Sequence, residues 1–103
     1  MFSKHKEQGC GGVQIHITDR NKFRPWKTGQ FLLRECRNIL GDDFQWTSPP
    51  YEYEYEKAPI DMINGTDKLR LWVENNGLLA QLNDIEQVGF QDFLDKREQI
   101  LIY

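Results

Sequence analysis

The sequence predicts an α+β fold, in which a small mixed sheet carries helices packed mainly on one face. Residues 13–18 alternate apolar and polar side chains, which is the period of a strand, whereas residues 25–40 repeat their apolar side chains at helical spacing. Such stretches follow one another without the regular βαβ alternation of a doubly wound fold. At 103 residues the chain has the size of one domain, so we expect residues 1–103 to form a single unit.

The first half of the chain opens with a predicted half-buried strand over residues 13–18, with Val13, Ile15 and Ile17 facing a core. Residues 19–24 form a loop. A helix then runs from Pro25 to about Leu40, because proline suits the first turn of a helix and a glycine follows the last one. Its predicted inward face comprises Trp26, Phe31, Leu32, Cys36, Ile39 and Leu40.

The middle of the chain predicts two further strands. Residues 44–46 form a short one, which the prolines at 49 and 50 end. The run Tyr51-Glu-Tyr-Glu-Tyr-Glu56 alternates completely, so we expect an edge strand with its tyrosines on the core and its glutamates in water.

The second half is mainly helical in its pattern, with glycine and asparagine between the periodic stretches. Thr66 is a plausible N-cap for the helix that follows it. In order, we expect a helical turn over residues 59–64, a helix ending near residues 75–77, a short helix over residues 79–85, a last helix from residue 90 to Arg97, and a terminal strand over residues 100–103.

The composition excludes several classes of partner. With 13 basic and 16 acidic residues the formal net charge is -3, so no broad basic field is available to bind nucleic acid. No apolar run reaches the roughly 20 residues that span a bilayer, so we expect no membrane insertion. Cys10 and Cys36 are predicted to be free thiols, and neither they nor the histidines show metal-ligand spacing.

The alternating tyrosines and glutamates are the first candidate for chemistry. In a strand, Tyr51 and Tyr53 share one face while Glu52 and Glu54 share the other, so an aromatic stripe backs an acidic one. Tyrosine rings stack on sugars and carboxylates accept from sugar hydroxyls. Carboxylates that cleave a glycosidic bond must flank it from opposite sides, which neighbours on one strand face do not. The pattern therefore indicates sugar binding rather than cleavage.

A second candidate cluster surrounds the first predicted strand, and its basic members are suited to hold a carboxylate or phosphate. It comprises Lys4, His5, His16, Asp19, Arg20 and Arg24. A third feature, Asp61 with Asn64-Gly65-Thr66-Asp67, is explained by turn chemistry and helix capping. No nucleophile, phosphate-loop or zinc motif is present.

Several stretches together carry a family resemblance that covers essentially the whole chain. These are Phe2-Ser-Lys-His5, Gly12-Val-Gln-Ile-His-Ile-Thr-Asp-Arg20, Pro50-Tyr-Glu-Tyr-Glu54, Pro59-Ile-Asp61, Gly65 with Leu69-Arg70, and Ile100-Leu-Ile-Tyr103. In this order they resemble the carboxy-terminal part of the exo-β-N-acetylmuramidase (NamZ-like) family, long described as a domain of unknown function.

The resemblance implies a two-part glycoside hydrolase that releases N-acetylmuramic acid from the non-reducing ends of peptidoglycan fragments during cell-wall recycling. Its larger amino-terminal Rossmann-like domain, absent from this chain, would carry the catalytic glutamate and any export signal, and this part would close the cleft. An extracytoplasmic location and the lack of any cofactor follow in the same way. The isolated chain is then expected to be inactive, with no catalytic residue.

Matching the motifs residue by residue implies a set of substrate-binding groups: Lys4, His5, His16, Arg20, Tyr51, Glu52, Tyr53 and Glu54. Arg20 or Lys4 would pair with the lactyl carboxylate that distinguishes muramic acid from glucosamine. Two alternatives remain: a stand-alone carbohydrate- or peptidoglycan-binding module, and a structural or dimerising domain without a ligand.

Overall fold

The computed structural model describes residues 4–103, and the regular structure within them is helical. The helices are α1 (Pro25–Leu40), α2 (Pro59–Asn64), α3 (Lys68–Glu74), α4 (Leu79–Gln87) and α5 (Phe90–Ile100), with a 3-10 turn at Gly41–Asp43 after α1. The predicted α+β class is wrong, because the described part of the chain contains no strand and no sheet. The helices predicted in the second half of the chain are confirmed.

Helix α1 has the predicted bounds, and Trp26 of its predicted inward face packs on the core, but the buried side of the helix otherwise differs from the predicted one. Pro25 occupies its first turn, and Gly41 ends it with a positive φ of 56°. Gln30 is buried and Leu33 packs on the core, whereas Ile39 is 81% exposed. The inward face is thus shifted by about one residue from the predicted one.

The core is built on helix α3, whose apolar side chains recur at i, i+3 and i+4 and so share one face. Leu69, Trp72 and Val73 of α3 are buried there together with Leu82 of α4. Burying side chains of this size contributes about 1.5–3 kcal/mol each. Four partly buried side chains complete the cluster: Trp26, Leu33, Trp46 and Ile85.

The loop between α3 and α4 packs closely against the Trp72 ring. The indole Nε1 of Trp72 donates to the carbonyl oxygen of Leu78 at 2.9 Å. A Cβ atom at Gly77 would lie 2.2 Å from Cδ1 of that ring, so only glycine fits there. The Arg34 guanidinium lies over both the Trp72 and Phe31 rings and donates to the carbonyl oxygen of Gly77. These contacts join α1 to the end of α3.

The four predicted strands are absent for a common reason, namely that a strand needs a neighbour to receive its backbone hydrogen bonds. Residues 13–18 have no helix or strand structure, and Val13, Ile15 and Ile17 are 74%, 51% and 52% exposed. Residues 44–46 are irregular, and Trp46 packs as a single side chain on the helical core. Residues 51–56 form a turn, and residues 101–103, which end the predicted terminal strand, are irregular.

Two smaller expectations have clear outcomes. Cys10 and Cys36 are free and exposed in the structure, and the exposure of Cys36 contradicts its predicted place on the inward face of α1. The predicted N-cap of α3 is wrong by one residue, because Asp67 holds that position and Thr66 lies just before it. The hydroxyl oxygen of Thr66 still accepts from the backbone N–H of Lys68 at 3.3 Å. Among residues 4–103, none of the helices combines the length and apolar character required to cross a membrane.

Candidate functional site

The tyrosine–glutamate run forms a tight turn instead of a strand. Tyr51 and Glu54 exchange backbone hydrogen bonds, with N–H···O distances of 2.9 and 3.0 Å, and Glu52 between them has a left-handed φ of 53°. Tyr53 and Tyr55 are 91% and 71% exposed, so the tyrosines do not cover a core as the edge-strand interpretation required. The turn presents its aromatic rings to solvent.

The Glu54 carboxylate holds the far side of this turn. Its Oε1 accepts from the backbone N–H groups of Glu56 at 3.0 Å and Lys57 at 3.2 Å. The hydrogen bond from Glu56 is the main cause that lowers the pKa of Glu54 below its ordinary value of 4.5, with the bond from Lys57 and the Lys57 charge acting in the same direction. Glu54 is therefore ionised at neutral pH.

Glu54 also lines an open pocket of about 520 Å³ that the turn forms with α2, α3 and the loop joining them. Its volume falls within the range of ordinary small-molecule sites, roughly 300–1,000 Å³. The pocket brings together carboxylates, cations, a hydroxyl and a thioether. The lining residues are Glu54, Lys57, Asp61, Met62, Gly65, Thr66, Asp67 and Arg70.

One wall of the pocket is fixed by a charged network. Arg70 Nε donates to both carboxylate oxygens of Asp61, at 3.0 and 3.1 Å, and this bond is the main cause that raises the pKa of Arg70. Arg70 Nη1 lies 3.5 Å from Oε1 of Glu74, which accepts from the indole N–H of Trp46 at 3.0 Å. Asp61 and Arg70 thus satisfy each other, whereas Glu54, Lys57 and Thr66 are the side chains best placed to receive a ligand.

The predicted site residues fall into two groups. Glu54 lines the pocket, and Tyr51, Glu52 and Tyr53 stand in the same turn. Four others lie on the exposed segment before α1 and do not line this pocket: Lys4, His5, His16 and Arg20. His16 instead borders a separate hollow of about 250 Å³. The assignment of all eight residues to substrate binding stays a prediction.

Sequence reasoning missed the contribution of Lys57, Asp61, Thr66 and Arg70 to the pocket. Asp61 and Thr66 were attributed to turn chemistry and helix capping, and Arg70 entered only as part of the family resemblance. Lys57 gave a weaker signal, its position three residues after Glu54. Only a turn in place of the strand brings Glu54 and Lys57 to one pocket.

A larger hollow of about 580 Å³ lies between α3 and α4 and is lined by none of the predicted site residues. Leu71, Leu78 and Ile85 border it with the edge of Trp72. Its lining has two charged side chains, Lys68 and Asp84, against five in the Glu54 pocket, which is therefore the better candidate for a polar ligand. In the described part of the chain, no group of three or more His, Cys, Asp or Glu side chains has the arrangement needed to hold a metal ion.

The described residues form a small helical domain with an open, charged pocket between a turn and two helices. The chain matches over residues 1–103 the family described as "Exo-beta-N-acetylmuramidase NamZ, C-terminal", and it belongs to that family. It is 29% identical over 102 residues to the peptidoglycan beta-N-acetylmuramidase NamZ of Bacillus subtilis (strain 168). That match covers 99% of this chain but 23% of the relative, so the chain spans about a quarter of the relative's length. No solved structure matches.

Proposed function

We propose that this chain is the substrate-side domain of an exo-β-N-acetylmuramidase, closing the substrate cleft and helping to bind N-acetylmuramic acid at the non-reducing ends of peptidoglycan fragments. The carrying observation is the Glu54 pocket in a chain whose family is the C-terminal part of such enzymes. Bond cleavage, cell-wall recycling and an extracytoplasmic location belong to the whole enzyme. A larger amino-terminal Rossmann-like domain supplies its catalytic glutamate.

The pocket suits a sugar because its groups complement hydroxyls and an acid. Glu54 is ionised and uses Oε1 to hold its own turn, so Oε2 is its natural acceptor for a sugar hydroxyl. The Thr66 hydroxyl both donates and accepts. The exposed rings of Tyr51 and Tyr53 stand in the same turn, where a sugar C–H face can stack.

Lys57 is the proposed partner of the lactyl carboxylate that separates muramic acid from glucosamine. Arg70, the other cation of the pocket, is held by Asp61 and Glu74. A charge-assisted bond from Lys57 would give selectivity for the acidic sugar. Arg20 and Lys4, the candidates from the sequence, line no part of this pocket, and they serve as the comparison.

The function is tested by measuring release of N-acetylmuramic acid from a chromogenic N-acetylmuramide. The longer enzyme should release it, and the 103-residue chain alone should not. An inactive full-length enzyme would remove the proposal. Chemical-shift titration of the chain with muropeptides adds a second test: saturable, tight binding by the isolated chain would favour a stand-alone module over half of a shared site.

Selectivity is tested by Lys57→Gln and Arg20→Gln in the full-length enzyme. Lys57→Gln should reduce the preference for a muramide over the matching N-acetylglucosaminide by about tenfold, the effect of losing one charge-assisted bond of about 1.5 kcal/mol. Arg20→Gln should leave this preference within about twofold. If Arg20→Gln reduced the preference and Lys57→Gln did not, the partner of the lactyl carboxylate would be Arg20, in the segment before α1.

A further inference from the structure

Helix α5 carries an apolar face that the described structure leaves uncovered. At 3.6 residues per turn, Phe90, Phe93, Arg97 and Ile100 lie within an arc of about 80°. The three apolar side chains are 47%, 59% and 79% exposed, and α5 has no buried residue. We define these four residues as the α5 face.

An exposed helix of this kind needs packing to be stable. Isolated helices shorter than about 12–15 residues are marginal in water, and α5 has 11 residues. Its main neighbour is α4, and Leu94 is its half-buried side chain. The opposite side of α5 is typical of a solvated surface, because Gln91 Nε2 donates there to Asp95 Oδ1 at 2.8 Å and both residues are exposed. The apolar α5 face is the side that remains to be covered.

Arg97 adds a charge requirement to this face. Within residues 4–103 its guanidinium has no carboxylate within 4.0 Å. Its neighbours along the helix at spacings of three and four are Phe93, Leu94, Ile100 and Leu101, all apolar. A complementary surface therefore presents apolar side chains around a carboxylate.

Two partners could cover an apolar face of this kind, and the charge of Arg97 distinguishes between them. A second copy of the chain would place its own α5 face here, since a two-fold interface uses the same patch on both partners. That face holds a second arginine and no acid, so the pairing lacks a carboxylate. The relative, by contrast, has about three-quarters of its length outside the region that this C-terminal family matches.

We propose that the α5 face is the surface on which the larger remainder of the enzyme docks, through apolar side chains surrounding a carboxylate that pairs with Arg97. The inference rests on the proposed function only in taking the chain as one part of a longer enzyme. It assigns a contact that fixes the position of α5, and through α4 the helical core, relative to the catalytic part.

Backbone hydrogen exchange tests the docking without substrate. Amides of α5 should exchange at least about tenfold more slowly in the full-length enzyme than in the 103-residue chain, because docking suppresses local opening. In the full-length enzyme, Arg97→Glu and Phe93→Ser should return exchange to within about twofold of the isolated chain. Asp95→Lys on the opposite side of α5 and Ile39→Ser at an exposed position of α1 are the matched controls and should leave exchange slow.

Several results would overturn the proposal. Equal exchange of α5 in the two proteins would do so, as would variants and controls with the same effect. Dimerisation of the isolated chain that Phe93→Ser abolishes would assign the face to a second copy. Circular dichroism of each variant in the 103-residue chain reports whether its helices persist. Slow exchange in an enzyme without muramidase activity would contradict the proposed function alone, and activity with unchanged exchange would contradict the docking alone.

Discussion

Replacing Gly77 by alanine should destabilise the domain through one steric contact. The added Cβ would lie 2.2 Å from Cδ1 and 2.3 Å from Nε1 of Trp72. Carbon atoms pack at about 3.5–4.0 Å, so the ring must move by about 1.5 Å. Overpacking of this kind costs about 1–3 kcal/mol. Loss of the hydrogen bond from Trp72 Nε1 to Leu78 adds about 0.5–1.5 kcal/mol.

The combined loss of about 1.5–4.5 kcal/mol is a large part of the roughly 5–15 kcal/mol that stabilises a domain. Urea unfolding followed by tryptophan fluorescence measures this loss, and in thermal unfolding the Tm should fall by at least about 6 °C. Gly29→Ala is the matched control. It lies inside α1 with no atom within 4 Å of its added Cβ, so it should raise stability by about 0.5–1 kcal/mol. A Gly77→Ala protein within about 0.5 kcal/mol of wild type would refute this packing of Trp72.

Two further predictions concern the charges of the pocket. Asp61→Asn should lower the free energy of unfolding by about 1–2 kcal/mol in a urea titration, a value that already allows for the partial exposure of Arg70. Asp92→Asn, which breaks an exposed ion pair, is the control and should cost no more than about 0.5 kcal/mol. Equal losses would contradict the role of Asp61. Glu54 should titrate by NMR below 4.5. Because its folded pKa is lowered, its stabilising effect is present above the unfolded value and disappears as pH falls through the folded one. The stability difference between wild type and Glu54→Gln should therefore vanish in acid. A difference that grows as the pH falls would show that the stabilisation does not come from the ionised Glu54 carboxylate.

The helices could be predicted from the sequence because their signals are local. Pro25 and Gly41 bound α1, and Leu69, Trp72 and Val73 repeat at helical spacing. The prediction of a sheet was wrong because an alternating pattern describes only which way the side chains face. It does not supply the neighbouring strand that must accept the backbone hydrogen bonds. At Glu54, two backbone N–H groups bind the carboxylate and favour a turn.

The site could be predicted only in part for the same reason. The tyrosine–glutamate motif contains Glu54, which lines the pocket, and the resemblance correctly indicated the family. The other residues of the pocket could not be predicted without knowing the turn, because it is the turn that brings Lys57 beside the loop between α2 and α3. Lys4 and Arg20 lie in turns of an exposed segment that has no helix or strand, and these turns do not bring them to the pocket.

The central claim, that this domain binds the sugar while catalysis occurs elsewhere, is tested most directly by steady-state kinetics of Glu54→Gln in the full-length enzyme. The glutamine keeps an oxygen that can accept from the turn, and Glu56→Gln in the same exposed turn is the control. Loss of binding shared by ground and transition states raises KM and leaves kcat nearly unchanged. We predict a KM about tenfold higher with kcat within about twofold, and wild-type values for the control. An unchanged KM, or a kcat reduced a thousandfold or so as for a lost catalytic group, would contradict the account.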